Sequence, residues 1–138
     1  ITVDNFLNYA ESGFYVNKIF HRVISNFMIQ GGGFTADLAQ PATQAAIKLE
    51  VGTGLSNTRG TIAMARTNVL DSATSQFFIN VVDNVSLDTS GGGYAVFGKV
   101  ISGLDVVDKI KDVAVSTRGG MENVPNTAVV INSMLQTK

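Results

Sequence analysis

Residues 20–32 read FHRVISNFMIQGG, two apolar runs in which an arginine and a glutamine take places expected of apolar residues. The runs Lys18–Ile24 and Phe27–Gln30 are rich in β-branched and aromatic residues and are separated by Ser and Asn, which predicts two short strands. Alternation along a strand places Met28 and Gln30 on one face. Arg22 and Gln30 therefore either face water or line an apolar pocket as its few polar groups, as in many ligand sites.

A second glutamine stands in the same kind of setting further along the chain. Gln76 opens the apolar run 77–79, and alternation puts Gln76 and Phe78 on one face of that strand. A solvated strand face is the simpler explanation for a single glutamine. Two glutamines, an arginine and large apolar side chains such as Phe27 and Met28 could instead share one pocket. Composition and spacing leave these two interpretations open.

Short apolar runs recur along most of the chain. Beyond the first two they are Thr61–Ala65, Gln76–Val82, Tyr94–Val100 and Ala128–Leu135. Gly, Asn, Asp, Ser and Thr separate them, as expected of strands joined by turns. No internal repeat or linker divides the chain, so residues 1–138 are interpreted as one domain. Many short strands with few helices favour a β-barrel or sandwich over an alternating βαβ sheet.

Two segments have the spacing of a helix. In the first, Thr2 is a candidate N-cap and Gly13 suits the left-handed position that follows a helix. Its apolar positions, at i, i+3, i+4 and i+7, are Val3, Phe6, Leu7 and Ala10. The second segment runs over Leu104–Val113. Its apolar face comprises Leu104, Val107 and Ile110, and the pair Asp105 and Lys109 at i and i+4 also favours a helix.

The composition limits the class of protein. With 138 residues, 45% of them apolar and 15% charged, the chain can bury a core and is not of the disordered type. Ten basic and eleven acidic residues give a net charge of −1, which offers no basic excess for a nucleic acid. No run of apolar residues is long enough to predict a membrane-spanning helix. Because the chain starts at Ile1 without a methionine, we expect that a natural N-terminus, with any signal peptide, precedes it.

Several kinds of catalytic site lack their residues. The chain has no cysteine and one histidine, His21, which excludes thiolate chemistry and metal sites rich in cysteine or histidine. Gly31–Gly33 is followed by Phe34, not by the residues of a phosphate-binding loop, and is interpreted as a structural turn. No G-x-S-x-G elbow is present, so a hydrolase triad is a weak alternative. We expect His21 in the core, donating to a backbone carbonyl.

Taken in order, the motifs of this chain resemble those of the cyclophilins, the peptidyl-prolyl cis–trans isomerases. The first are FHRVI and FMIQGG at residues 20–24 and 27–32. TRGTIAMA at 58–65, SQFFI at 75–79 and YAVFGKV at 94–100 follow with matching spacing. The similarity runs from Ile1 almost to Lys138. The short segment Thr35–Gly60 and the sequence AMART at 63–67 look like the bacterial branch in particular.

This resemblance implies a mainly β fold, a cyclophilin-like antiparallel β-barrel closed by two α-helices, with a peptide site on its outer surface. It implies that Arg22 is catalytic and that neither a cofactor nor a metal is needed. The implied substrate-binding residues are Phe27, Met28, Gln30, Ala65, Arg66, Thr67, Gln76, Phe78, Leu87 and Tyr94. Of these, Phe27, Met28, Phe78 and Leu87 match the apolar pocket for the proline ring, and Gln30 and Gln76 match the groups that hold the peptide backbone.

The chain departs from the family pattern at two places. Ser86 stands where many members have a tryptophan or another aromatic residue, so binding of cyclosporin-like ligands is expected to be weak. Members usually begin with a β-hairpin before the helix that starts near Val3. That hairpin is missing here, and the resemblance therefore implies an N-terminally truncated domain.

The predicted function is isomerisation of X–Pro peptide bonds during protein folding. The implied partners are proline-containing polypeptides, with no nucleic acid and no membrane, and we expect a monomer. The cytoplasm is the expected compartment, with the periplasm as the alternative. The competing functional hypothesis is a non-catalytic chaperone module that binds proline peptides in the same groove. Arg22 discriminates between the two, because binding could survive its loss and catalysis should not.

Overall fold

Five short strands form the central antiparallel sheet. The computed structural model describes residues 1–137, and the sheet has the order β1-β2-β4-β3-β5. The strands are β1 (Arg22–Ile24), β2 (Met28–Gly31), β3 (Thr61–Met64), β4 (Phe77–Asn80) and β5 (Val96–Lys99). Each lies within, or one residue beyond, an apolar run that predicted a strand. These five predictions are confirmed, although every strand is shorter than its run or shifted within it.

A β-hairpin that the sequence did not predict lies beside this sheet. β6 (Val115–Arg118) and β7 (Met121–Pro125) pair antiparallel, and β7 packs against β1. Gly119 and Gly120 form the turn with φ of 54° and 80°. A two-residue hairpin turn of this kind requires positive φ at both positions, which glycine adopts without strain.

The predicted strand Ala128–Leu135 is wrong in extent. Within it the structure has a single bridge, between Ile19 and Val130. Two backbone hydrogen bonds support it, from Phe20 N to Val129 O at 3.0 Å and from Ile131 N to Lys18 O at 2.8 Å. The mainly β class with two helices is confirmed. Closure of a barrel is not seen in residues 1–137, where the ladders form one sheet of five strands and one of two.

The first helix, α1 (Thr2–Glu11), buries a face that overlaps the predicted one only in part, since Ala10 is buried and Phe6 packs against the core. Its buried residues are Thr2, Asn5, Tyr9 and Ala10. The hydroxyl and the backbone N–H of Thr2 donate to Glu50 Oε1 at 2.5 and 2.6 Å, and Asn5 Nδ2 donates to a backbone carbonyl at 2.8 Å. These bonds make it possible to bury the two polar side chains. Val3, predicted to be buried, is 47% exposed, and Thr2 is the first helical residue, not the N-cap.

The second helix, α2 (Leu104–Lys111), covers one face of the sheet. Its Val107 is buried in a cluster with Val23, Ile29 and Val81, as the apolar spacing predicted. Arg59 Nη1 and Nη2 donate to the two carboxylate oxygens of Asp108, each at 2.9 Å. These bonds tie the segment before β3 to α2 and hold the pKa of Asp108 below its usual range.

Side chains alternate between the two faces of the central sheet. On one face Phe77 packs into the core beneath α1 with Tyr9, Tyr15 and Met64. On the other face the buried residues are Met28, Ala63, Phe78 and Val96, and Phe27, Leu87 and Tyr94 pack against them. The predicted opposition of Phe77 and Phe78 is confirmed. The second face is the one that carries the groove described next.

Candidate active site

Strand register aligns the key side chains in one row across the sheet. Arg22 on β1 is opposite Gln30 on β2, Gln30 is opposite Phe78 on β4, and Phe78 is opposite Ala63 on β3. Residues directly opposite in neighbouring strands point to the same face. The row therefore runs from an exposed cation through a half-buried amide to a buried aromatic ring.

An open pocket of about 270 Å³ lies over this row. Its lining residues are Arg22, Phe27, Met28, Gln30, Ala65, Arg66, Phe78, Leu87 and Tyr94. Phe78 and Tyr94 meet edge to face, with ring centroids 5.9 Å apart. The pocket thus combines an apolar floor and walls with a guanidinium at its rim, which suits a small apolar ring attached to a polar backbone.

A second, more polar pocket of about 210 Å³ continues from the first. It is lined by Gln30, Gln40, Ala65, Arg66, Thr67, Ser72, Thr74 and Gln76. Gln30, Ala65 and Arg66 border both pockets, so the two form one groove. All eleven residues that the sequence reading assigned to the site line this groove, with Thr67 and Gln76 in the second pocket. Gln40, Ser72 and Thr74 were not predicted.

A chain of side-chain hydrogen bonds connects the two pockets. Arg22 Nη1 donates to Gln30 Oε1 at 3.2 Å, and Gln30 Nε2 donates to Gln76 Oε1 at 2.9 Å. The side-chain oxygens of Gln30 and Gln76 therefore both accept hydrogen bonds from within the protein. The Nε2 group of Gln76 remains to donate into the groove. None of the ion pairs within residues 1–137 involves Arg22. Its positive charge is therefore oriented by a neutral partner and is not cancelled by a carboxylate.

Gly33 makes room for the last member of this chain. A Cβ atom at position 33 would lie 2.5 Å from Gln76 Cγ and 2.6 Å from Gln76 Nε2. No real Cβ approaches so closely, and the displaced group would be the side chain of Gln76. The triple glycine is thus more than a turn, and its role at the site could not be read from the sequence.

We predict that Gly33→Ala displaces Gln76 and weakens peptide binding. Loss of one or two backbone hydrogen bonds should raise KM by about three- to tenfold, at about 1 kcal/mol per bond, with a smaller change in kcat. Steady-state isomerisation kinetics would measure this. Gly98→Ala, on β5 and outside the groove, is the control for adding a methyl group, since Gly98 also lacks a positive φ and its Cβ would meet only Ile62 Cγ2. Unchanged KM in Gly33→Ala, with a normal melting temperature, would contradict the assignment.

Arg66 uses most of its donors within the protein. Its Nη2 donates to Gly91 O at 2.8 Å and to Gly93 O at 2.7 Å, Nε also donates to Gly93 O, and Nη1 donates to Thr67 O at 2.8 Å. The guanidinium also lies 4.6 Å from the ring centroid of Tyr94. Arg66 therefore borders the groove as a fixed wall that holds loop 91–93 and Tyr94 in place.

A buried network of asparagines supports the opposite wall. Asn80 Nδ2 donates to Asn57 Oδ1 and to Thr61 Oγ1, both at 3.0 Å. Asn84 Nδ2 donates to Asn80 Oδ1 at 2.9 Å and to Phe27 O at 2.8 Å. Asn57 and Asn80 are fully buried, so these bonds satisfy groups that water cannot reach. The network fixes the position of Phe27 at the pocket.

Asp88 extends this network to the turn that carries Leu87. Its carboxylate accepts hydrogen bonds from Ser56 Oγ, from Asn57 N at 2.7 Å and from Asn57 Nδ2 at 2.9 Å. The bond from Ser56, followed by those from Asn57, lowers the pKa of Asp88. Leu87 lies in the short 3₁₀ turn Val85–Asp88, so the ionised carboxylate anchors one wall of the apolar pocket.

His21 lies beneath the site and does not line the groove. It is buried, and its ring packs against Phe34 at 4.5 Å between centroids. The expected donation to a backbone carbonyl is not seen in residues 1–137, and Nδ1 is buried without a partner. Burial, and then the positive charge of Arg22, lower the pKa of His21 to about 4.

We predict that His21 makes the fold sensitive to mild acid. Because the folded pKa lies below the ordinary value of about 6.5, the unfolded chain binds more protons between these values, and stability falls as the pH is lowered. Between pH 7.5 and pH 5 the loss should be about 2 kcal/mol of unfolding free energy. Denaturant titrations at both pH values measure it. In His21→Phe the pH dependence over this window should largely disappear; the same slope in both proteins would contradict the assignment.

The comparisons with known proteins agree with this geometry. The model of the family described as cyclophilin type peptidyl-prolyl cis-trans isomerase/CLD matches residues 1–136. A peptidyl-prolyl cis-trans isomerase of Acinetobacter baylyi is 59% identical over 97% of this chain and 72% of its own length. Peptidyl-prolyl cis-trans isomerase B of Escherichia coli is 56% identical over 96% of this chain and 84% of its own length.

The fold also matches a solved structure. A crystal structure of a cyclophilin type peptidyl-prolyl cis-trans isomerase of Cryptosporidium parvum, determined in the presence of the dipeptide Ala-Pro, superposes with a TM-score of 0.80. It is 26% identical and the match covers 99% of this chain and 85% of that one.

Fold and groove together define a protein with an open groove in which an exposed guanidinium stands beside an apolar pocket. The chain belongs to the cyclophilin-type peptidyl-prolyl cis–trans isomerase family. It is an isomerase of this class. No helix within residues 1–137 is long and apolar enough to cross a membrane.

Proposed function

We propose that this isomerase rotates X–Pro peptide bonds in flexible and unfolded polypeptides, with Arg22 as the catalytic residue. The observation that carries the proposal is the setting of Arg22. It stands at the rim of an apolar pocket, is oriented by Gln30 at 3.2 Å, and has no ion-pair partner in residues 1–137.

The chemistry of the bond explains why one fixed cation is sufficient. The barrier to rotation is about 18–20 kcal/mol because rotation breaks amide resonance. In the twisted transition state the proline nitrogen becomes pyramidal and regains a lone pair. An N–H of Arg22 can donate to that lone pair, which the planar ground states do not offer. The interaction therefore favours the transition state over both ground states and lowers the barrier.

The remaining groove residues hold the substrate. Phe27, Met28, Phe78 and Leu87 would enclose the proline ring. Gln30 and Gln76 would hold the peptide backbone on either side of the row, with Gln76 Nε2 as the free donor. With the ring held in the apolar pocket, the carbonyl side of the bond is the part that rotates. These contacts act on ground and transition states alike, so they set affinity more than rate.

Cyclosporin-like ligands should bind weakly. Ser86, in the turn beside Leu87, is exposed and offers neither an indole N–H nor a large apolar face. Tryptophan provides both. Ser86→Trp should therefore raise cyclosporin affinity more than it changes turnover.

The alternative function is a binding module that uses the same groove without catalysis. The free charge of Arg22 favours the enzyme, because an apolar pocket with two amides would suffice for binding alone. NMR exchange spectroscopy on a peptide containing Ala-Pro-Phe separates the two. The proposal expects cis–trans exchange to accelerate from tens of seconds or longer to a rate set by enzyme concentration. Shifted peptide resonances without accelerated exchange would establish the binding module and refute the isomerase mechanism.

A further inference from the structure

Three aliphatic side chains are exposed together at the edge of the groove. Val51, Val69 and Leu70 are 41%, 65% and 49% exposed, and we call them the rim patch. Val51 and Leu70 both lie against the glycine loop 91–93. A Cβ at Gly92 would stand 2.5 Å from Leu70 Cδ2, and one at Gly93 would stand 3.1 Å from Val51 Cγ1.

The rim patch is held in place by polar bonds around it. Thr67 N and Oγ1 donate to Ser72 Oγ at 3.0 and 2.9 Å, and Ser72 Oγ donates to Val69 O at 2.6 Å. These bonds close a tight loop with Val69 and Leu70 at its tip. Leu49 N donates to Asp71 Oδ1 at 2.9 Å, which ties the segment before Val51 to the same loop. The patch is therefore preorganised, and ordering it costs little when a ligand binds.

The patch adjoins the groove through residues that line it. Thr67 and Ser72, which close the loop, line the second pocket. Arg66 borders both pockets and holds the glycine loop on which the patch rests. Two charged groups beside the patch are engaged within the protein, since Arg66 donates to three backbone carbonyls and Asp71 accepts from Leu49 N. A chain that leaves the second pocket towards the glycine loop thus meets exposed aliphatic side chains.

We infer that the rim patch binds an apolar side chain of the substrate polypeptide itself, two to four residues from the proline. This inference rests on the proposed function and adds a preference for prolines flanked by residues such as Leu, Val or Phe. The second pocket, about 210 Å³ in volume, is about 6 Å across, and an extended chain advances about 3.3–3.6 Å per residue. A residue or two therefore cross this pocket before the patch is reached. Segments of this kind are exposed in unfolded chains and buried in folded ones, which directs the enzyme to folding intermediates.

The test uses peptides with one Ala-Pro-Phe core and Leu or Ser at each position two to four residues from the proline, on either side. With wild type, Leu at one position should raise kcat/KM about five- to tenfold over Ser, as expected for burying part of an aliphatic side chain. In the double variant Val51→Ser, Leu70→Ser this ratio should fall to near one, while the Ser peptides react as before. Ile101→Ser, at a 90% exposed residue that lines neither pocket, is the matched control.

The outcomes separate this inference from the isomerase proposal. A Leu-to-Ser ratio that is unchanged in the double variant at every position would overturn the rim patch as a subsite, with the isomerase intact. If the wild-type protein did not accelerate cis–trans exchange at all, NMR titration with the same peptides would still test the patch. The Leu-to-Ser ratio would then be a ratio of peptide affinities. Dimerisation that the double variant abolishes, with no effect on peptides, would assign the patch to a second copy of the chain and refute the inference.

Discussion

Replacing Arg22 with Ala is expected to lower kcat/KM for X–Pro isomerisation by a hundred- to a thousandfold. Removal of a well-placed electrostatic donor at a developing charge costs about 2.7–4 kcal/mol of transition-state stabilisation. Peptide affinity should change by only about threefold, because the planar ground state gives Arg22 no lone pair to contact. Exchange spectroscopy for turnover and titration for Kd would measure both quantities on one peptide.

The variant Arg22→Lys distinguishes charge from geometry. A lysine ammonium keeps the charge but cannot donate to Gln30 and to the proline nitrogen through a planar fork, so it should restore little activity. Because Arg22 is exposed, neither substitution should disturb folding. Arg118→Ala, on β6 and outside the groove, controls for loss of a positive charge. Near-normal turnover by Arg22→Ala would overturn the mechanism even with the fold correct.

Replacing Asn80 with Ala is expected to lower the free energy of unfolding by about 2–4 kcal/mol, since it leaves buried polar groups without partners. Asn57 Oδ1 loses its donor from Asn80, and Asn84 loses one acceptor. The effect should reach the groove, because the same network holds Phe27 and, through Asn57 and Asp88, the turn with Leu87. Catalysis should therefore fall as well, through a higher KM.

Denaturant unfolding and steady-state kinetics on the same sample would test this prediction. Asn8→Ala, at an exposed position on α1, is the matched control and should change stability by less than about 0.5 kcal/mol. If Asn80→Ala does not fold, Asn84→Ala removes a half-buried member and should give a smaller loss in the same direction. A loss below about 0.5 kcal/mol in both variants would refute a supporting role for the network.

The fold was predictable where burial and local pattern agree. Apolar runs predicted strands β1 to β5, and the spacing of Leu104, Val107 and Ile110 predicted α2. The hairpin β6–β7 was missed because only Val124 and Pro125 of its strand residues are buried, so its sequence shows no apolar alternation. The buried face of α1 was predicted only in part, because the buried Thr2 and Asn5 bond to Glu50 and to Thr74 O, 48 and 69 residues away. Such long-range partners leave no trace in local spacing.

The residues of the groove were predictable largely through the family resemblance, since composition and spacing alone made a solvated strand face the simpler explanation for each glutamine. What the sequence could not provide is how the residues act on one another. Arg66 was assigned to substrate, yet its donors hold the glycine loop. Gly33 was assigned to a turn, yet it makes space for Gln76. Close approaches and hydrogen-bond partners depend on the packed structure and not on residue type.

The bridge between Ile19 and Val130 has a consequence for the synthesis of the protein. The backbone beside β1 pairs with a segment about 110 residues later in the chain. At about 5–20 residues per second, ribosomes need roughly 5 to 20 seconds to produce the intervening chain. During that interval β1 and β2 lack this backbone partner. The fold around Arg22 therefore cannot be completed until residue 131 has been synthesised. The sheet edge that carries Arg22 is thus completed only after residues 129–131 have been synthesised.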